Sequence, residues 1–142
     1  MSETENRQMV DEAFDALNAH DLNRYVKQVA ASYVWEADIF PTPVRGSEGA
    51  KQAIAVYFKA FPDLHFETDQ VITSADYTVV RWRATGTHKG EFNGIAPTNR
   101  QVNLRGCTVT EIKNGQVVKS ISYSDRLALL EQLGVAARAA GA

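Results

Sequence analysis

The hydrophobic period of this chain changes once at Pro62, from about 3.6 residues to two, and changes back only at Asp125. Ahead of Pro62, Met9, Val10, Phe14 and Leu17 mark one helical stripe, with Ala13 and Ala16 filling it. A second helix is expected over "HDLNRYVKQVA", with Asp21 as its N-cap and Leu22, Tyr25, Val26 and Val29 as its apolar face. "SYVWEADIFPTP" reads as a short strand stopped by Pro41 and Pro43. Ser47 is placed to cap a third helix bearing Ile54, Phe58 and Phe61. After Pro62, "LHFETDQVIT", "YTVVRWRATGTH", "QVNLRGCTVTEI" and "QVVKSISYSD" alternate as four long strands. Asn114-Gly115 between the last two suits a tight hairpin, because both positions tolerate positive φ. Asp125 then opens a closing helix, "RLALLEQLGVAARAA", with an alanine-rich tail. Helices followed by an uninterrupted run of strands define an α+β chain with its helices on one side of the sheet.

Composition narrows the function classes. The 142 residues carry a formal net charge of −2 and no basic run, which gives no electrostatic reason to expect nucleic acid or an anionic membrane. One domain spanning residues 1–142 is expected. Cys107 stands alone, so neither an intrachain disulfide nor a cysteine-based metal cluster can form. The polar, acidic start "MSETENRQMV" is unlike a signal peptide, and no apolar run reaches membrane-spanning length. The expected setting is the cytoplasm, with a small molecule as partner and no metal or cofactor.

The connector between the second and third of the four strands is far more specific than the strands themselves. "GTHKGEFNGIAPTNRQVNLRG", followed by "EIKNGQVVKSISYSDRLALLEQLG" and preceded by "AFPDLHFE", resembles the SnoaL-like polyketide cyclase family of the NTF2-like superfamily. The resemblance spans residues 5–134. It implies a strongly curved antiparallel sheet wrapped around N-terminal helices, a cone with an internal pocket. It also implies a homodimer or homotetramer formed through the sheet. Its motifs are turns and caps, which specify the fold and say little about the reaction.

In the family's cyclases an Asp on the last strand acts as general acid/base beside a His on the preceding strand. Carried over from Asn114-Gly115, the His position falls at Thr108 and the Asp position at Ser122. Neither hydroxyl is a base near neutral pH without an activating partner. The two are expected to point inward, either as hydrogen-bonding groups that orient a ligand oxygen or as small residues that make room. Alternation gives them the company of Leu104, Gly106 and Thr110 on one strand and of Val118, Ser120 and Ser124 on the other.

Asp38 is the remaining candidate base, since related ketosteroid isomerase folds carry a pocket Asp at a similar place. Desolvation at the mouth of an apolar cone would raise its pKa toward neutrality. Alternation sets Trp35 and Ala37 on one face and Glu36 and Asp38 on the other. Only a bulge before Pro41 would therefore turn either carboxylate inward.

The other polar candidates have plainer readings. Arg81 and Arg83 flank Trp82 and point outward if Val80, Trp82 and Ala84 face the core. His20 and His65 read as surface residues, and His88 as a structural part of the connector. Asp125 fits an N-cap better than an acid. Cys107 faces away from Thr108. Trp35, Tyr57, Phe58, Phe61, Trp82, Phe92 and Tyr123 form an aromatic set drawn from every wall of such a cone, of which Trp35, Phe58, Phe61, Trp82 and Phe92 are the expected substrate contacts. Few charges accompany them, which favours an apolar or aromatic, weakly polar ligand.

The expected function is a cofactor-independent enzyme of the SnoaL-like type. It would cyclise, isomerise or dehydrate a hydrophobic cyclic or polyene substrate by acid/base chemistry or templating. The alternatives are a non-catalytic binding protein and an auxiliary component of a polyketide hydroxylation.

Overall fold

A computed structural model describes residues 2–135; the alanine-rich tail of the closing segment lies outside the described residues. Helix α1 spans Glu3–Asn18 and begins with a capping box. Ser2 Oγ accepts from the Glu5 amide at 3.1 Å, while the Glu5 carboxylate accepts from the Ser2 amide. Met9, Val10, Ala16 and Leu17 are buried as the periodicity requires. Two asparagines fasten the same helix at its ends. Buried Asn6 donates through Nδ2 to the carbonyls of Ser74 and Ala75. Asn18 exchanges two hydrogen bonds with the backbone of Phe66, at 2.7 and 2.9 Å.

The second helix is much shorter than its pattern suggests. Asp21 caps it, accepting from the Arg24 amide at 3.1 Å, but α2 covers only Leu22–Tyr25. Val29, expected on its apolar face, instead opens strand β1, Val29–Ala37. Backbone pairing with a neighbouring strand and the strand preference of β-branched residues outweigh the helical spacing there. Strand β2, Val44–Arg45, pairs with β1 and leads directly into helix α3, Gly46–Ala60. Ser47 therefore lies inside α3, and the N-cap is Arg45, without a side-chain cap bond.

Strands β3 (His65–Thr73), β4 (Tyr77–Thr87), β5 (Gln101–Lys113) and β6 (Gln116–Ser124) follow, then helix α4, Arg126–Gln132. Asp125 caps α4, accepting from the Ala128 amide at 2.9 Å. The sheet is a curved, unclosed six-stranded one in the order β2-β1-β6-β5-β4-β3, the NTF2-like architecture. It is not antiparallel throughout, because β1 pairs parallel with β6. Asn114 and Gly115 turn the last hairpin with φ of 52° and 74°. Two apolar clusters fill the concave side. One, including Phe61, Phe92, Leu129 and Leu133, lies under the connector and α4; the other, including Leu17, Tyr33, Trp35 and Ile54, lies under α1 and α3.

The connector is tied down at each step. Asp63 accepts from the amide and the hydroxyl of Thr87 at 2.7 and 2.8 Å. Burial pulls the Asp63 carboxyl upward, and these bonds more than offset it, leaving its pKa below the usual value. The amides of Lys89 and Gly90 both donate to the Ala60 carbonyl at the end of α3. A Cβ on Gly90 would overlap the Lys59 carbonyl, so only glycine permits this approach. Fully buried His88 accepts at Nδ1 from the Thr98 amide at 3.1 Å, the structural part expected of it. Among the described residues no helix is long and apolar enough to cross a membrane.

Candidate functional site

Cross-strand register decides what faces the concavity. Thr78, Thr110 and Ser120 stand side by side on β4, β5 and β6; Val80, Thr108 and Ser122 form the next row; Trp82, Gly106 and Ser124 form the third. All but Gly106 line a cavity of about 200 Å³ between the sheet and the helices. A bulge corrects one expected member. Glu111 pairs with Lys119 but Ile112 pairs with Val117, so Val118 is skipped and Val117 lines the cavity in its place.

The middle rows hold a continuous chain of hydrogen bonds. The Trp35 indole Nε1–H donates to Ser122 Oγ at 2.9 Å, and the Trp82 indole Nε1–H donates to Thr108 Oγ1 at 3.0 Å. The two hydroxyl oxygens are themselves 2.9 Å apart, and either can be the donor. Trp82 reaches Thr108 by lying across its cross-strand partner Gly106, where any Cβ would overlap the indole ring. A second hydroxyl pair, Thr110 and Ser120, bonds at 3.0 Å one row away.

Three tyrosines complete the polar part of the wall, and all are disfavoured as anions. Burial pushes the Tyr25 phenol up to about 12. Burial raises Tyr33 further, with nearby Tyr25 adding to the rise and the neighbouring Ser120 hydroxyl opposing it. Tyr57 is raised by burial and then by the Asp38 charge, with Arg126 partly opposing. Among the described residues, Arg126 and Asp125 are the only charged groups in the lining, and both are exposed.

The structure brings together some of the expected site residues and separates others. Thr108, Ser122, Trp35, Phe61 and Trp82 all face the cavity. Asp38 does not: it is exposed in the turn after β1 and absent from the lining. The irregularity in β1 falls between Val29 and Val34, ahead of Trp35, so nothing reverses the alternation that points Asp38 and Glu36 away. Glu36 lies on the outer side, 3.9 Å from Lys119 Nζ. Phe58 is also outside the lining and stacks on the His20 ring at 4.0 Å instead. Phe92 is buried behind the wall against Tyr57 and Phe61, and Tyr123 is 61% exposed on the opposite face. Arg81, Arg83 and His65 lie where alternation and turn position put them.

Tyr25, Tyr33, Phe14 and Phe66 line the cavity although sequence reasoning did not select them. For Tyr33 a signal existed: it alternates with Trp35 and Ala37. Among the described residues no three His, Cys, Asp or Glu side chains gather in a metal-binding arrangement.

The model of the SnoaL-like polyketide cyclase family matches residues 7–133. The chain belongs to that family. Among similar solved structures is AclR from Streptomyces galilaeus, a hydroxylase by assignment. It shares 28% identity at a TM-score of 0.83, over 94% of this chain and 87% of that one. A SnoaL-like polyketide cyclase, so assigned, from Jannaschia sp. CCS1 shares 27% identity at 0.85, over 92% of each chain. IdmH from Streptomyces antibioticus, assigned as a polyketide cyclase, shares 26% at 0.77, over 91% of this chain and 98% of that one. No curated protein gives a significant match. Within the SnoaL-like family this chain is a polyketide-related small-molecule protein, and its cavity is lined by Thr108 and Ser122. These two are direct cross-strand partners.

Proposed function

We propose that this SnoaL-like protein takes an apolar ring or polyene substrate into its cavity and promotes cyclisation, isomerisation or dehydration chiefly by holding it in reactive geometry. The observation that carries this reading is a largely apolar cavity whose wall holds the bonded hydroxyl pair Thr108 and Ser122, on which both indoles converge. At about 200 Å³ the space somewhat exceeds the ~150 Å³ apolar cavity that admits one benzene ring. Thr108 and Ser122 orient an oxygen of the substrate; Trp35, Phe61 and Trp82 supply the apolar walls. Enforced proximity requires no strong base, which suits a lining without interior carboxylates. No cofactor enters this scheme. Outward Val79, Val109 and Ile121, which form one cross-strand row beside exposed Tyr123, supply the face for a homodimer.

A second reading, an auxiliary component of a polyketide hydroxylation, draws on the likeness to AclR. Both are tested by the intrinsic fluorescence of the chain, because both of its tryptophans take part in the cavity network. Titration with small aromatic ketones and phenols is expected to shift the emission saturably, and product analysis then separates turnover from binding. A flat response to every compound would remove the cavity as a ligand site.

A further inference from the structure

The protons of the wall network can be counted, and the count specifies more than a generic polar contact. Each indole is a donor only, so Ser122 Oγ and Thr108 Oγ1 each accept one N–H. One hydroxyl then donates to the other. Whichever does so, the receiving oxygen holds two incoming hydrogen bonds and keeps its own proton free. The donating oxygen keeps one lone pair free. The Thr108–Ser122 pair therefore offers one donor and one acceptor on oxygens 2.9 Å apart, in either orientation.

A ligand hydroxyl fits that pair by closing a three-membered ring of hydrogen bonds. Its oxygen accepts the free O–H, and its own O–H donates to the free lone pair. Every member then donates once around the ring, an arrangement in which successive bonds polarise one another. A bare carbonyl fills only the donor and leaves the lone pair unmatched. An anion would accept the free O–H but face the free lone pair, and recruiting both hydroxyls as donors would break their mutual bond. The one cation that the described residues bring to the lining, Arg126, is exposed. The tyrosines that share the wall show the same penalty on negative charge.

We infer that the cavity selects a neutral aromatic alcohol or enol, bound in its protonated form through Thr108 and Ser122, over the corresponding anion. This rests on the reading of the cavity as the ligand site and deepens it. In a step that forms or consumes an enol, the same preference would hold the enol neutral.

4-Nitrophenol reports the outcome directly, because only its ionised form is yellow. 4-Nitrotoluene is its near-isostere without the hydroxyl. At a pH where half of the free phenol is ionised, the bound phenol is expected to be on the order of tenfold less ionised. The phenol is expected to bind about tenfold more tightly than the toluene, a preference lost in Thr108→Val and kept in Thr108→Ser. A bound phenol that is more ionised than the free one would overturn the inference and make the pair an anion site. Equal affinity for the two probes would overturn it as well. Failure of both probes to bind would remove the cavity reading itself, and this inference with it.

Discussion

Trp82 and Arg83 are neighbours in β4 and face opposite sides of the sheet, where polar groups behave differently. Outside, the Arg83 guanidinium meets Asp69 at 2.9 Å and Glu67 at 2.8 Å, and Arg81 reaches Gln70 at 2.8 Å. Inside, the bonds run from neutral indoles to neutral hydroxyls at much the same lengths. Of these bonds only the outer ones carry formal charge, yet solvent screens exposed ion pairs and supplies substitute partners when one is lost. In the largely apolar cavity substitute partners are fewer, so the weaker-looking bonds carry more of the structure. Position relative to water, not formal charge, ranks these interactions.

The largest test of that contrast is Gly106→Ala. A methyl group there must displace the Trp82 ring and break its bond to Thr108, with an expected loss of ~2–3 kcal/mol in denaturant unfolding. A variant of unchanged stability would show that the inner network tolerates rearrangement. Ser122→Ala comes next. It leaves the Trp35 N–H buried without its acceptor, at an expected cost of about 1–2 kcal/mol. Trp35→Phe in the same background should then cost less than it does alone, and a double-mutant cycle measures that coupling.

Alkaline titration probes the cavity wall without mutation. Tyr25 has a folded pKa of about 12 against an ordinary 10. The folded state therefore holds its proton more tightly than the unfolded chain. The associated stability is complete below pH 10 and is lost as pH rises through about 12. Raised Tyr33 and Tyr57 act in the same direction. Unfolding midpoints measured across this range should fall. The part of the tyrosinate absorbance that comes from Tyr25, Tyr33 and Tyr57, read by difference against Tyr→Phe variants, should rise together with unfolding. The smallest effect is expected from Arg83→Gln, on the wet face: a thermal midpoint close to the parent's and unchanged binding in the cavity. A large loss there would reverse the ranking of the two faces.

Much of this was legible in local patterns, and the failures have local causes. The four-strand register, the Asn114-Gly115 hairpin, the Asp125 cap and the inward Thr108 and Ser122 follow from period-two alternation and turn chemistry. Val118 was misplaced because a bulge shifts register by one residue without any sequence mark of its own. Phe58 and Phe92 were expected at the ligand because aromatic composition cannot separate a cavity wall from the packing behind it. Asp38 was attractive by analogy, while its own alternation argued against it, and alternation was the better guide.

The sequence by itself determined the order of the main helices and strands, the connector that fastens the end of α3, and the small hydroxyl residues Thr108 and Ser122. Those are matters of period, backbone freedom and residue identity, all carried within a few neighbouring positions. Only the tertiary structure decided that β1 lies parallel to β6, which sets Trp35 within reach of Ser122, 87 positions later. It alone decided that Trp82 lies over Gly106 and that two indoles converge on one pair of hydroxyls. Such a network depends on strand register and sheet curvature across distant segments, and no local pattern encodes either.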